Sequence, residues 1–157
     1  MADFVNTVDL LGNDAVMDAI IDRTITEFND NVVASIRTNA FYKCTSLISV
    51  NIPAATKIDT TAFSGCSSLQ KIDTAALTSI GNNSLQNCSN LTALILRNTT
   101  AISALASNWA INNSPIKNGT CYVYVPSSML SQYTSNSYWS AYSAQFRKIE
   151  DYPDICG

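Results

Sequence analysis

The sequence predicts a solenoid built from short parallel strands, and three observations carry that reading. Ile36, Ile58, Ile80 and Ile102 stand at one interval of 22 residues. Four more apolar columns keep that interval: Phe41, Phe63 and Leu85; Cys44, Cys66 and Cys88; Leu47, Leu69 and Leu91; and Val50, Ile72 and Leu94. Around the last column, residues 48–52, 70–74 and 92–96 alternate apolar and polar with period two, the signature of a strand with one buried face. A unit that recurs in this way cannot bury its apolar face alone, so successive coils must stack.

The elements follow in chain order. Val16, Met17, Ile20 and Ile21 fall at helical spacing in residues 14–22, with Asn13 or Asp14 available as N-cap, which predicts a capping helix. Shifting the repeat frame back puts Ile25 in the Leu47 column and Phe28 in the Val50 column, so 24–28 reads as the first strand and Asn29-Asp30-Asn31 as a turn. Full copies are expected at 33–55, 56–77 and 78–99. Each holds one long strand and a second, shorter extended segment around its column isoleucine, at 34–36, 57–58 and 79–80, with 101–102 as the fourth. Small residues at Ala40, Ala62 and Ser84 let coils approach closely. The fourth copy decays after Ile102 and Leu105, where Trp109 and the turn Asn112-Asn113-Ser114-Pro115 replace the phenylalanine and cysteine columns. Residues 121–125 read as a last strand ended by Pro126. Met129, Leu130 and Tyr133 form the apolar face of a segment opened by Ser127, and Trp139, Tyr142, Phe146 and Ile149 recur at helical spacing. The tail from Asp151 is expected to be loose. The resulting division is 1–32 as N-terminal helix and half repeat, 33–120 as repeats and 121–157 as C-terminal cap.

Composition narrows the function. Nine basic residues against twelve acidic ones, with no basic run, argue against a nucleic-acid partner, which needs clustered Lys and Arg. The chain has no histidine, which removes the commonest general base, the imidazole zinc ligand and every Ser-His or Cys-His nucleophile pair. The carboxylates Glu27, Asp59 and Asp73 fall in different columns, so no paired-acid glycosidase site forms. No apolar stretch approaches the roughly 20 residues of a membrane helix. The first residues carry acids where an export leader needs basic ones, so export by the general secretory route is not expected.

The run of Ile36, Ala40-Phe41, Cys44, Leu47, Val50 and Ile52-Pro53 resembles the BspA-type leucine-rich repeat, and it departs from that pattern in later copies at Thr74, Leu85 and Leu96. Tyr124-Val125-Pro126 followed by Tyr133, Trp139 and Tyr142 is similar to the closing segment of such proteins, so the resemblance spans about 25–150. It implies a leucine-rich repeat solenoid with an N-terminal helical cap and a C-terminal strand-plus-helix cap. It also implies a binding module with no shared active site. The stretch Asp-Ala-Ile-Ile-Asp-Arg-Thr-Ile-Thr-Glu-Phe at 18–28 resembles the openings of phage and prophage reading frames that run straight into these repeats.

Candidate contact residues come from the outward strand positions: Ser49, Asn51 and Pro53, then Lys71, Asp73 and Ala75, then Ala93, Ile95 and Arg97. This row reads either as a binding face or as an ordinary solvated surface. Tyr122, Tyr124 and Tyr138 are candidate aromatic contacts, with Tyr138 and one of the other two expected to reach solvent. Cys44, Cys66 and Cys88 stack in a line that suggests a metal or redox site, but an inward column of small buried hydrophobes explains them better. Five cysteines leave an odd count, with Cys121 and Cys156 either paired or not, and no disulfide framework is expected. The expectation is a non-enzymatic recognition module without cofactor or metal, binding a protein or a surface glycan. A phage virion protein of tail, baseplate or capsid, touching other virion proteins and able to form homo-oligomers, leads that reading. A bacterial cell-surface adhesin and an intracellular scaffold are its alternatives.

Overall fold

The computed structural model describes residues 22–157. The helix expected over 14–22 falls, apart from Asp22, outside them.

Two parallel sheets run along the stack. The larger is ordered β1 (Glu27–Asn29), β3 (Ser49–Asn51), β5 (Lys71–Thr74), β7 (Ala93–Leu96), β9 (Tyr122–Val125) and β10 (Phe146–Lys148). The smaller is ordered β2 (Ser35–Ile36), β4 (Lys57–Ile58), β6 (Ser79–Ile80) and β8 (Ala104–Leu105). Register in the larger sheet pairs Ser49 with Lys71 and Lys71 with Ala93, and sets Phe28, Val50, Ile72, Leu94 and Val123 in one buried row. The backbone ladder extends one residue before the strands: Ile48 donates to Thr26 at 2.7 Å, Gln70 to Ile48 at 2.8 Å and Thr92 to Gln70 at 3.0 Å. Coil-to-coil hydrogen bonding therefore satisfies most of the backbone groups that burial takes from water.

The five columns lie in one core. Ile36, Ile58 and Ile80, the cysteines, the leucines and the phenylalanines are all buried. Phe28 meets Phe41 at 4.9 Å between ring centroids, and Phe41 stacks on Phe63 at 5.1 Å and 9°. The turn between the sheets needs left-handed backbone at two recurring places. Asn39, Thr61 and Asn83 have φ of 62°, 57° and 54°, and Lys43, Gly65 and Asn87 have 57°, 78° and 58°. Asn and Gly bear this conformation most cheaply, which accounts for the asparagines in the unit.

Three expectations are corrected here. The fourth short strand is Ala104–Leu105, not 101–102: Ile80 pairs with Leu105, and Ile102 is only partly buried. The Asn98 side chain accepts from the backbone of Thr100 and Ala101, forming a loop that delays the coil by three residues. Trp109 does not replace the phenylalanine column. It is 62% exposed, while Ala110 and Ile111 turn inward. Finally, the helical spacing after Trp139 does not produce a continuous helix. A 3-10 segment (Trp139–Gln145) breaks at Tyr142, and Phe146 becomes extended, because Phe146–Lys148 can pair in parallel with the open edge of β9.

The far end of the core is closed by Tyr133 on helix α2 (Leu130–Ser135), Trp139 and Phe146. Their rings lie 5.4 to 6.0 Å apart, and α1 (Pro115–Asn118) sits earlier, between β8 and β9. The tail is ordered, contrary to expectation. Ile149–Asp151 forms a 3-10 turn and Pro153–Cys156 a short helix α3, and Ile149, Tyr152 and Cys156 pack with Ala93, Ile95 and Tyr124 in a second small core on the outer face of the large sheet.

Candidate binding surface

The outer face of the large sheet is the side that points away from the main core. Its first strands carry Asn29, then Ser49 and Asn51, then Lys71 and Asp73. These side chains, with Pro53, Ala75, Arg97 and Gly157, line a polar cleft of about 470 Å³. Arg97 grips Asp73 with two nitrogens, Nε to Oδ1 at 2.7 Å and Nη2 to Oδ2 at 2.8 Å, and this pairing raises the pKa of Arg97. A planar guanidinium fits a carboxylate in this manner, so both groups are fixed in orientation and the cleft has a rigid floor on that side.

A second cleft of about 670 Å³ lies on the other side of the tail. Gln70, Lys71, Thr92, Tyr122, Arg147 and Tyr152 line it, together with Asp154 and Ile155. The guanidinium of Arg147 lies 4.1 Å from the centroid of the Tyr122 ring, a cation-π contact that holds both at the wall. Arg147 reaches this place because β10 pairs with β9, which sets it beside Tyr124.

The structure divides the candidate residues as follows. Ser49, Asn51, Lys71, Asp73 and Arg97 share one cleft, and Lys71 also joins Ala93, Tyr122 and Tyr124 in the other. Ala93 and Ile95 are buried at 6% and 0% and packed with the tail, so Ile95 offers no solvent-facing contact and Ala93 only a small part of the cleft wall. Their apolar character is explained by that cover. Tyr124 is likewise buried, packed edge-on to Tyr152 at 5.4 Å, and burial pushes its hydroxyl pKa up. Tyr122 is the exposed member of the pair. Tyr138 is also exposed but lies in neither cleft. Asn29, Gln70, Arg147 and Tyr152 were not legible as surface partners, because each enters through strand register or through the folded-back tail.

The cysteine column is core. All five cysteines are buried thiols, and none is in a disulfide. Cys66 and Cys88 donate through Sγ to the carbonyls of Phe41 and Phe63 at 3.0 and 3.1 Å. Burial pushes Cys44 up to about 11 and Cys88 and Cys121 up to about 12, with Cys66 raised further. Burial both raises these thiols and shields them from solvent, which suits the column to packing and not to nucleophilic or metal chemistry at neutral pH. Among the described residues, no group of three or more His, Cys, Asp or Glu side chains is placed to hold a metal ion, and no helix is long and apolar enough to cross a membrane.

Stacked parallel coils with a rigid, partly aromatic outer face define a repeat protein of the kind that binds other proteins. The chain belongs to the BspA type leucine rich repeat region family, whose pattern matches in 6 copies over residues 20–138. The family is generally one of binding scaffolds, which makes protein–protein interaction the function class. No curated protein matches the chain.

Proposed function

We propose that this chain is a non-enzymatic recognition module that takes its partner on the outer face of the large sheet, with a 22-residue repeat as the unit and the segments at 1–32 and 121–157 as caps. The observation that supports this reading is the pair of clefts meeting at Lys71, one polar with a fixed Asp73–Arg97 pair and one walled by Tyr122 and Arg147. Such a surface offers a protein or glycan ligand an aromatic plane and ordered donors and acceptors without a large net charge.

In its finer form the module is a virion protein of phage tail, baseplate or capsid that presents this face to a bacterial surface ligand. The likeness of 18–28 to phage reading-frame openings supports that setting. Mass spectrometry of purified virions and of envelope fractions tests it. Peptides of this chain in virions at symmetric stoichiometry are expected; their presence in the envelope alone would replace the virion setting by a surface adhesin. The face itself is tested by capture from host envelope extract. Asn51→Lys and Tyr122→Ala are expected to lower recovery of a partner held by the unaltered chain, and equal recovery by all three would overturn the assignment of this face.

A further inference from the structure

The tail crosses the face that the repeats present. From Ile149 the chain turns into α3, and Tyr152 and Cys156 settle on Ala93, Ile95 and Tyr124. Two cations hold its backbone: Lys71 Nζ donates to the Ile155 carbonyl at 2.8 Å, and Arg97 donates to the Cys156 carbonyl. Both serve carbonyls at the end of a short helix, where intrahelical partners are missing and positive charge is favoured. The tail forms a wall of each cleft, with Tyr152, Asp154 and Ile155 on one side and Gly157 on the other, and Lys71 lines both. It therefore bridges one trough and divides it in two.

The anchorage is small. Within the tail only Cys156 is buried, Ile149 and Tyr152 are half-buried, and the intervening Pro153, Asp154 and Ile155 face solvent. Segments with so little buried apolar surface open locally at free energies far below that of global unfolding. The main core does not depend on the tail, since Tyr133, Trp139 and Phe146 close its end before the tail begins.

We propose that residues 149–157 form a displaceable strap, and that the trough beneath takes a short partner peptide of like chemistry. Such a peptide carries two apolar side chains one helical turn apart, as Tyr152 and Cys156 are, and presents its carbonyls to Lys71 and Arg97. This rests on the outer face being the recognition surface, and it names the class of ligand for the covered half.

Native-state thiol labelling of the full chain tests it, because Cys156 lies under the strap while Cys44, Cys66, Cys88 and Cys121 lie in the main core. Maleimide modification followed by peptide mapping should find Cys156 modified at least about ten-fold faster than the other four. Arg97→Met and Lys71→Met should each raise that rate further and leave the core cysteines unchanged. A synthetic peptide of residues 149–157 carrying Cys156→Ala, which keeps the second side chain apolar and unreactive, should compete for the trough and accelerate labelling of Cys156 in the intact chain. Labelling of Cys156 at the rate of the core four would make the tail a fixed part of the fold and overturn the strap. Fast labelling that the peptide leaves unchanged would overturn the trough as a peptide site. Neither result touches the open half of the face, whose own failure appears as partner recovery indifferent to Asn51→Lys.

Discussion

The indole Nε1 of Trp139 donates to the carbonyl oxygen of Ser103 at 2.7 Å, and the hydroxyl of Tyr133 accepts from the backbone N–H of the same residue at 2.8 Å. Both contacts fall in the fourth coil, just after the three-residue delay. Ser103 sits just before β8, fully buried, where the sheet ladder does not reach its backbone. Two aromatic residues distant in sequence supply the missing partners. Tyr133→Phe keeps the ring and leaves that N–H unsatisfied, so it should cost about 1–3 kcal/mol in denaturant unfolding. A loss indistinguishable from zero would mean that the contact contributes nothing net.

Thr61 is the misfit of its column. It holds φ of 57° between Asn39 and Asn83, and a β-branched residue bears left-handed backbone poorly. Thr61→Asn restores the residue type of the neighbouring coils and can still donate to the Asn39 side chain, which now accepts from the Thr61 hydroxyl. The expected result is a gain of about 0.5–1 kcal/mol, read from a urea midpoint at unchanged slope. A lower midpoint would show that the hydroxyl outweighs the backbone strain.

Ser84 occupies the small-residue column held elsewhere by Ala40 and Ala62, and its buried hydroxyl has no partner among the described residues. Desolvating a hydroxyl without compensation disfavours folding, so Ser84→Ala should raise stability by about 1 kcal/mol. Thermal unfolding would register the change, and a fall in melting temperature would point to an unseen partner for that oxygen.

The columns of Ile36, Phe41, Cys44, Leu47 and Val50 were legible because burial imposes the same apolar requirement on every coil, and a period that recurs this often leaves few alternatives. Ile102 misled because it preserves the interval by position alone, while the loop set by Asn98 shifts the true counterpart to Leu105. Phe146 misled for another reason: helical spacing competes with an open strand edge, and the ladder with β9 wins. The candidate surface was legible at Ser49, Asn51, Lys71 and Asp73, where strand alternation alone fixes which way a side chain points. At Ala93, Ile95 and Tyr124 the deciding fact is the returning tail, which no local pattern announces.

The two tryptophans should separate in solution. Trp139 is fully buried against Tyr133 and Phe146, whereas Trp109 is 62% exposed. Acrylamide should quench one emission component readily and leave a blue-shifted one, and Trp109→Phe should abolish the first with a stability change within about 0.5 kcal/mol. Uniform quenching of both would contradict the inward turn of Ile111 in place of Trp109.

The thiol column sets a pH dependence whose sign can be worked out. From the ordinary value of 9.0, burial raises Cys44 to about 11 and Cys88 and Cys121 to about 12. Unfolded thiols release their protons near pH 9, whereas the folded column holds them beyond it, so above that pH the folded state binds more protons than the unfolded one. The thiol contribution to stability is therefore complete below about pH 9 and declines as pH rises toward 11, by up to about 1.4 kcal/mol per pH unit for each thiol. Tyr124 and Tyr133, raised from 10.0 by burial, add to the decline mainly above about pH 10, so the cysteines dominate the interval from 9 to 10. Urea unfolding across that interval should show a falling midpoint. Cys66→Ala should be less stable throughout yet fall less steeply, having one fewer thiol to ionise in the unfolded chain. An equal slope in the two proteins would show that Cys66 does not stay protonated in the folded state.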